Sequence, residues 1–256
     1  MFRRHGSERS EVQNRVLASW LALVAGFVNS AGFTLVGTFT SHVTGNVGRL
    51  AGDAVRGEVG AAALAFTLIA AFFLGALGAS MALESDVFGR TPFAYAVALT
   101  AEAALLVAFT LVGREVVAPG PRFLDAEAAF LAGAMGIQNS LVTRLSGSVV
   151  RTTHLTGVIT DLGIEAARWF RFWRSSVADR VHVRLSFGKP ARERPNSGRG
   201  RVLVLLGIVL GFGVGALVGT IVAVRVGYLA MLVPGACVFV TAIYALQNGT
   251  KGAPTR

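Results

Sequence analysis

Apolar residues along this chain gather into six long runs, near Val16–Val36, Val59–Leu83, Pro92–Val112, Ala126–Leu145, Val202–Val224 and Gly227–Leu246. Each is close to the ~20 residues a helix needs to cross the hydrocarbon of a bilayer. Backbone N–H and C=O groups in lipid must be paired within the protein, so helices are the expected form. The alternating pattern of a membrane barrel is absent. The pattern therefore predicts an all-α, polytopic membrane helix bundle with six transmembrane helices. Pro234 lies inside the last run, where it is expected to kink the helix.

Two polar breaks organise these runs. Ser41-His42-Val43-Thr44-Gly45-Asn46 follows the first, and a near copy, Thr153-His154-Leu155-Thr156-Gly157, follows the fourth. Upstream of them, Gly26-Phe27-Val28-Asn29-Ser30 matches Gly136-Ile137-Gln138-Asn139-Ser140. Downstream, Gly75-Ala76-Leu77 matches Gly215-Ala216-Leu217. Each copy holds three crossings, and an odd number turns the second copy over. The expectation is a 3+3 inverted repeat, with sites often built where matching helices are interrupted. Short motif helices should follow the first and fourth spans. The divisions are a basic tail at 1–15, a first repeat at 16–125, a second at 126–247 with a basic connection at 168–201, and a tail at 248–256.

Charge fixes the expected orientation. Only 15% of residues are charged, against roughly 25% in a typical soluble domain. Of 24 Lys and Arg, 11 lie between Arg151 and Arg201, beside apolar runs that are nearly free of them. Such clustering reads as a topology signal rather than a nucleic-acid surface. The N-terminus, the long connection and the C-terminus are all basic, so both termini are expected on the cytoplasmic side of the inner membrane. The first run is too long for a signal-peptide core and is expected to remain as a helix.

These matched segments resemble the YoaK-like family of bacterial membrane proteins, catalogued as a domain of unknown function. The carrying residues are Gly26–Gly32, Ser41–Asn46, Ala134-Met135-Gly136-Ile137-Gln138-Asn139 and Arg151–Gly157, and the resemblance runs from about residue 16 to 247. It implies a six-helix inner-membrane protein. This chain departs from the family at Asn29, where family members often carry an acid.

The motifs supply the candidate chemistry. Glycine lets the backbone leave a helix, and Thr or Ser can cap a new one. A helix N-terminus offers N–H donors and partial positive charge to an anionic group. Thr44, Gly45 and Asn46, with Thr156 and Gly157, thus form two candidate half-sites; helix capping and packing is the simpler alternative. Ser41, His42 and His154 flank them. Two imidazoles without a nearby Cys or carboxylate ligand set are a weak metal signal, so no metal or cofactor is expected. Asn29, Gln138 and Asn139 are intramembrane polar groups that suit either a solute or helix packing.

Glu102 sits mid-span, where a charged side chain is costly. It should face the bundle and is the candidate for proton coupling, with neutral helix-to-helix hydrogen bonding as the alternative. Asp161 and Glu165 lie one turn apart, and pairing with Arg151 or Arg168 is their simplest account. Arg168, Arg171 and Arg174, interleaved with Trp169, Phe170, Phe172 and Trp173, read as an anchor to anionic lipid headgroups. Gly207, Gly211, Gly215 and Gly219 form a stripe suited to close packing inside the bundle or, alternatively, in a homodimer. Cys237 stands alone. No catalytic motif is present, so no enzyme is expected. The functional expectation is a secondary transporter or permease for a small solute, with a non-transporting scaffold or sensor as the alternative.

Overall fold

The computed structural model describes residues 11–84, 92–115, 121–145, 155–182 and 198–250. They form helices α1 (Glu11–Val36), α2 (Val43–Val55), α3 (Val59–Glu84), α4 (Pro92–Glu115), α5 (Pro121–Leu145), α6 (Leu155–His182), α7 (Gly198–Val226) and α8 (Leu232–Thr250). A 3₁₀ turn, Gly227–Met231, joins the last two. No strand occurs among the described residues. Pro234 falls in the first turn of α8, where its missing N–H has no helical partner to lose. The expected kink is therefore replaced by the 3₁₀ turn just before it.

Four stretches are long and apolar enough to cross a membrane: Ala18–Val36, Val59–Glu84, Phe93–Gly113 and Val202–Gln247, the last containing most of α7 and α8. Their outer faces are unmistakably apolar. On α7, Leu203, Leu206, Leu210, Val214 and Leu217 are exposed at helical spacing, Leu210 at 65%. A continuous apolar face of this kind belongs against lipid rather than water. These are the helices of a membrane protein.

Five of the six apolar runs fall within those stretches, and the sixth forms α5. This helix is not apolar enough to count as a span on its own. Its position explains why: every residue from Leu131 to Gln138 is buried. A helix ringed by protein needs small and polar residues for close packing more than it needs leucine.

Glycine decides how the helices pair. α1 lies along α7, α3 along α5, and α4 against both α5 and α8, while α2 rests on α3 and α6 on α7. A side-chain carbon at Gly26 would collide with the Phe212 carbonyl, and one at Gly215 with the Leu23 carbonyl. In the second crossing, Gly136 lies on the Phe72 carbonyl and Gly75 on the Gly133 carbonyl. One hydroxyl pair closes each: Ser30 Oγ to Thr220 Oγ1 at 2.7 Å, and Ser80 Oγ to Ser140 Oγ at 2.8 Å. The glycine stripe of α7 is occupied within the chain, with Gly211, Gly215 and Gly219 on the carbonyls of Ser19, Leu23 and Phe27.

α3 and α5 run parallel from the Leu68–Ala128 level to the Glu84–Arg144 level. Leu68 packs with Ala128 near one end, Ser80 meets Ser140 further along, and Glu84 pairs with Arg144 at the other.

Candidate functional site

The first motif is a re-entrant turn. α1 ends at Val36, and Gly37 reverses the chain with φ +71°, a conformation that favours glycine. The turn then folds back along α1: Phe39 stacks on Phe33 with ring centroids 4.3 Å apart. Ser41 Oγ donates to Asn29 Oδ1 at 2.9 Å. Asn29 stands seven residues before the helix end, so Ser41 lies about 10 Å below it at 1.5 Å per residue. Thr38, tied to Arg49 at 2.7 Å, and Thr40 are both buried. Non-helical backbone folded back along a helix in this way is enclosed by protein at both threonines.

α2 begins at the base of this turn. His42, not a Ser or Thr, occupies the N-cap, and its side chain makes no capping hydrogen bond. Its exposed ring folds over Gly45, where any side chain would strike Nδ1. Thr44 is exposed in the first turn, and the buried Asn46 reaches the Phe39 carbonyl with Nδ2 at 3.4 Å. The first-turn N–H groups lack helical acceptors. Asn29, Ser41, His42, Gly45 and Asn46 are thus brought together, with Thr44 at the rim.

The second motif starts its helix at the equivalent residue: α2 opens at Val43 and α6 at Leu155. Thr156 is exposed and Gly157 half-buried in that first turn, while Arg151, Thr153 and His154 lie outside the described residues. α6 extends to His182 and is 28 residues long, against 13 for α2. Short motif helices hold for the first copy only. With α2 on α3 and α6 on α7, the two motif helices share no extensive packing among the described residues. Gln138 Nε2 donates to the Leu21 carbonyl at 3.3 Å, leaving its buried Oε1 without a hydrogen bond. Asn139 Nδ2 donates to the Met135 carbonyl at 2.9 Å.

The motif helices also share an acid–arginine pair, which the sequence led us to expect for Glu165 and Arg168 but not for its counterpart on α2. Asp53 is buried and paired with Arg56, and Glu165 is buried and paired with Arg168 at 2.8 Å. Asp53 and Glu165 stand 112 positions apart, as do Gly45 and Gly157. Arg168 and Arg171 are both exposed, as is Phe170 between them. The side chain of Arg174 lies outside the described residues.

Glu102 is fully buried in α4 with neither carboxyl oxygen hydrogen-bonded. A second acid, Glu127 of α5, is equally buried, and its oxygens likewise make no hydrogen bond of good geometry, although the Tyr228 phenol stands beside it. Its signal in the sequence was present: a glutamate two residues into an apolar run.

No curated protein and no solved structure matches this chain. A family model described as "Protein of unknown function (DUF1275)" matches residues 17–244, and the chain belongs to that family.

Proposed function

We propose that the chain crosses the inner membrane six times as two inverted copies of a three-span unit and works as a secondary transporter or permease for a small solute. The pairing of contacts supports the repeat. Gly26 on Phe212 and Gly136 on Phe72 are one contact in two copies, because Gly26 aligns with Gly136 and Phe72 with Phe212. Ser30 with Thr220 and Ser140 with Ser80 are another such pair. The parallel course of α5 beside α3 supports counting α5 as a crossing.

The hydrogen bond from Ser41 to Asn29 carries the transport reading. It holds an interrupted helix and an uncapped N-terminus below the end of α1, which is how transporter sites for anionic groups are built. In this reading Asn29, Ser41 and the first turn of α2 contact solute, and Thr156 and Gly157 serve the second copy. Glu102 couples protons, since a buried acid without a partner is stable only when neutral. The basic N-terminus, the 168–201 stretch and the C-terminus lie in the cytoplasm.

Flux assays in proteoliposomes test this. Thr44→Val, Thr156→Val and Glu102→Gln should abolish solute-dependent flux while the protein stays folded; normal flux in all three would remove the proposed site. A scaffold is the second reading, favoured by Phe170, which is 63% exposed between two exposed arginines. Neutralising Arg168 and Arg171 would then release a co-purifying partner or anionic vesicles, with no flux to lose.

A further inference from the structure

Glu127 has no role in the transport reading, yet its surroundings are as demanding as those of Glu102. It lies six residues into α5, about 9 Å from the helix start at 1.5 Å per residue. The residue is wholly inaccessible and neither oxygen has a well-formed hydrogen bond. Leu64 and Leu68 of α3 belong to one apolar cluster with Ala132 and Ala128, the residue next to Glu127. Among the described residues the titratable group facing Glu127 is Tyr228, from the 3₁₀ turn between α7 and α8.

Tyr228 is itself held in place. Its ring packs on Phe109, with centroids 5.3 Å apart, and fills the space left by the missing side chain of Gly113. Its carbonyl accepts from Thr110 Oγ1 at 3.2 Å. Four buried positions of α4, Glu102, Leu106, Thr110 and Gly113, follow helical spacing along one stripe. Tyr228 covers the Thr110 end of that stripe. Glu102 lies eight residues further along it, about 12 Å away.

Among the described residues no cation faces Glu127, so a carboxylate there would carry a steep desolvation cost. A proton removes that cost, and a phenol is a partner for both states. It accepts a hydrogen bond from the acid, and it donates one to the carboxylate when the proton leaves.

We propose that Glu127 is a second proton-binding site, with the Tyr228 hydroxyl as its partner, placed between the end of α4 and the deeper acid Glu102. The proton binds a carboxyl oxygen of Glu127 and its departure leaves the carboxylate. This site stands whether or not the chain moves a solute.

Infrared spectra of the purified full-length chain, taken in H₂O and D₂O at neutral pH, test it directly. The protein should show isotope-sensitive C=O bands of protonated carboxyl groups. Glu127→Gln should delete one band and Glu102→Gln a different one. Tyr228→Phe should retain both but move the Glu127 band to higher frequency, because the C=O of a carboxyl group stiffens when its O–H loses the oxygen it donates to. An unchanged spectrum for Glu127→Gln, or an unmoved band in Tyr228→Phe, overturns the proposal. Should Glu127→Gln fail to fold, the tyrosine variant decides. Proteoliposome flux is a separate readout, so loss of the transport reading would leave these bands to be judged on their own.

Discussion

The Asp53 carboxylate, 7% exposed, is held by Arg56 one turn along the same helix, with one oxygen paired and the other buried and unsatisfied. Glu165, 5% exposed, and Arg168 repeat the arrangement on α6. Removing the arginine strands a buried charge, whereas removing both partners strands nothing. Arg56→Ala should therefore cost about 1 kcal/mol, at the low end for a buried pair because the guanidinium reaches water. Asp53→Asn in that background should recover most of the loss. Thermal unfolding in detergent would show a drop of roughly 2–4 °C and its reversal. Arg168→Ala should behave alike, and a larger loss in the double variant than in Arg56→Ala would refute the pairing.

The glycine crossings give a sharper stability test. At Gly215 and Gly136 an added side-chain carbon meets a backbone carbonyl, which cannot move without shifting a whole helix. Gly215→Ala and Gly136→Ala should each cost about 1–3 kcal/mol through overpacking. Gly213, on the same helix as Gly215 but with nothing within 4 Å, is the control. Gly213→Ala should be neutral or slightly stabilising, since alanine is the better helix former. Equal effects at positions 213 and 215, read by resistance to chemical unfolding, would contradict the α1–α7 crossing.

The two hydroxyl pairs lie in separate interfaces, which makes additivity the expectation. Thr220→Val breaks the bond to Ser30, and Ser80→Ala breaks the bond to Ser140. Each should cost about 0.6 kcal/mol, the usual worth of an interhelical hydrogen bond in a membrane protein. The double variant should lose the sum within experimental error. A marked excess would mean that the two crossings are coupled.

The apolar runs announced the helices because lipid-facing surfaces must be apolar; five of the six fall within the four stretches long and apolar enough to cross a membrane. α5 escaped that rule, since a helix ringed by protein is selected for small and polar residues. Its glutamate was overlooked for the same reason. The paired motifs marked where new helices follow, although His42 rather than a Thr or Ser stands at the N-cap of α2. What pattern could not supply was reach: the return of Ser41 to Asn29 spans 12 positions and depends on the left-handed turn at Gly37. Nor could it predict that the two motifs would rest on different helices.

Orientation is the prediction that binds these pieces together. If the copies are inverted, the N-termini of α2 and α6 open toward opposite faces of the membrane. Thr44 and Thr156 are exposed at equivalent positions and suit single cysteines, once Cys237, the one native thiol, is replaced by serine. A membrane-impermeant maleimide should label position 44 in intact spheroplasts. Position 156 should stay unlabelled until the membrane is permeabilised, because the basic residues from Arg151 to Arg201 hold that region on the cytoplasmic side. Labelling of both positions from the same side would contradict an inverted repeat. It would leave the glycine crossings intact but require an even number of crossings between the motifs.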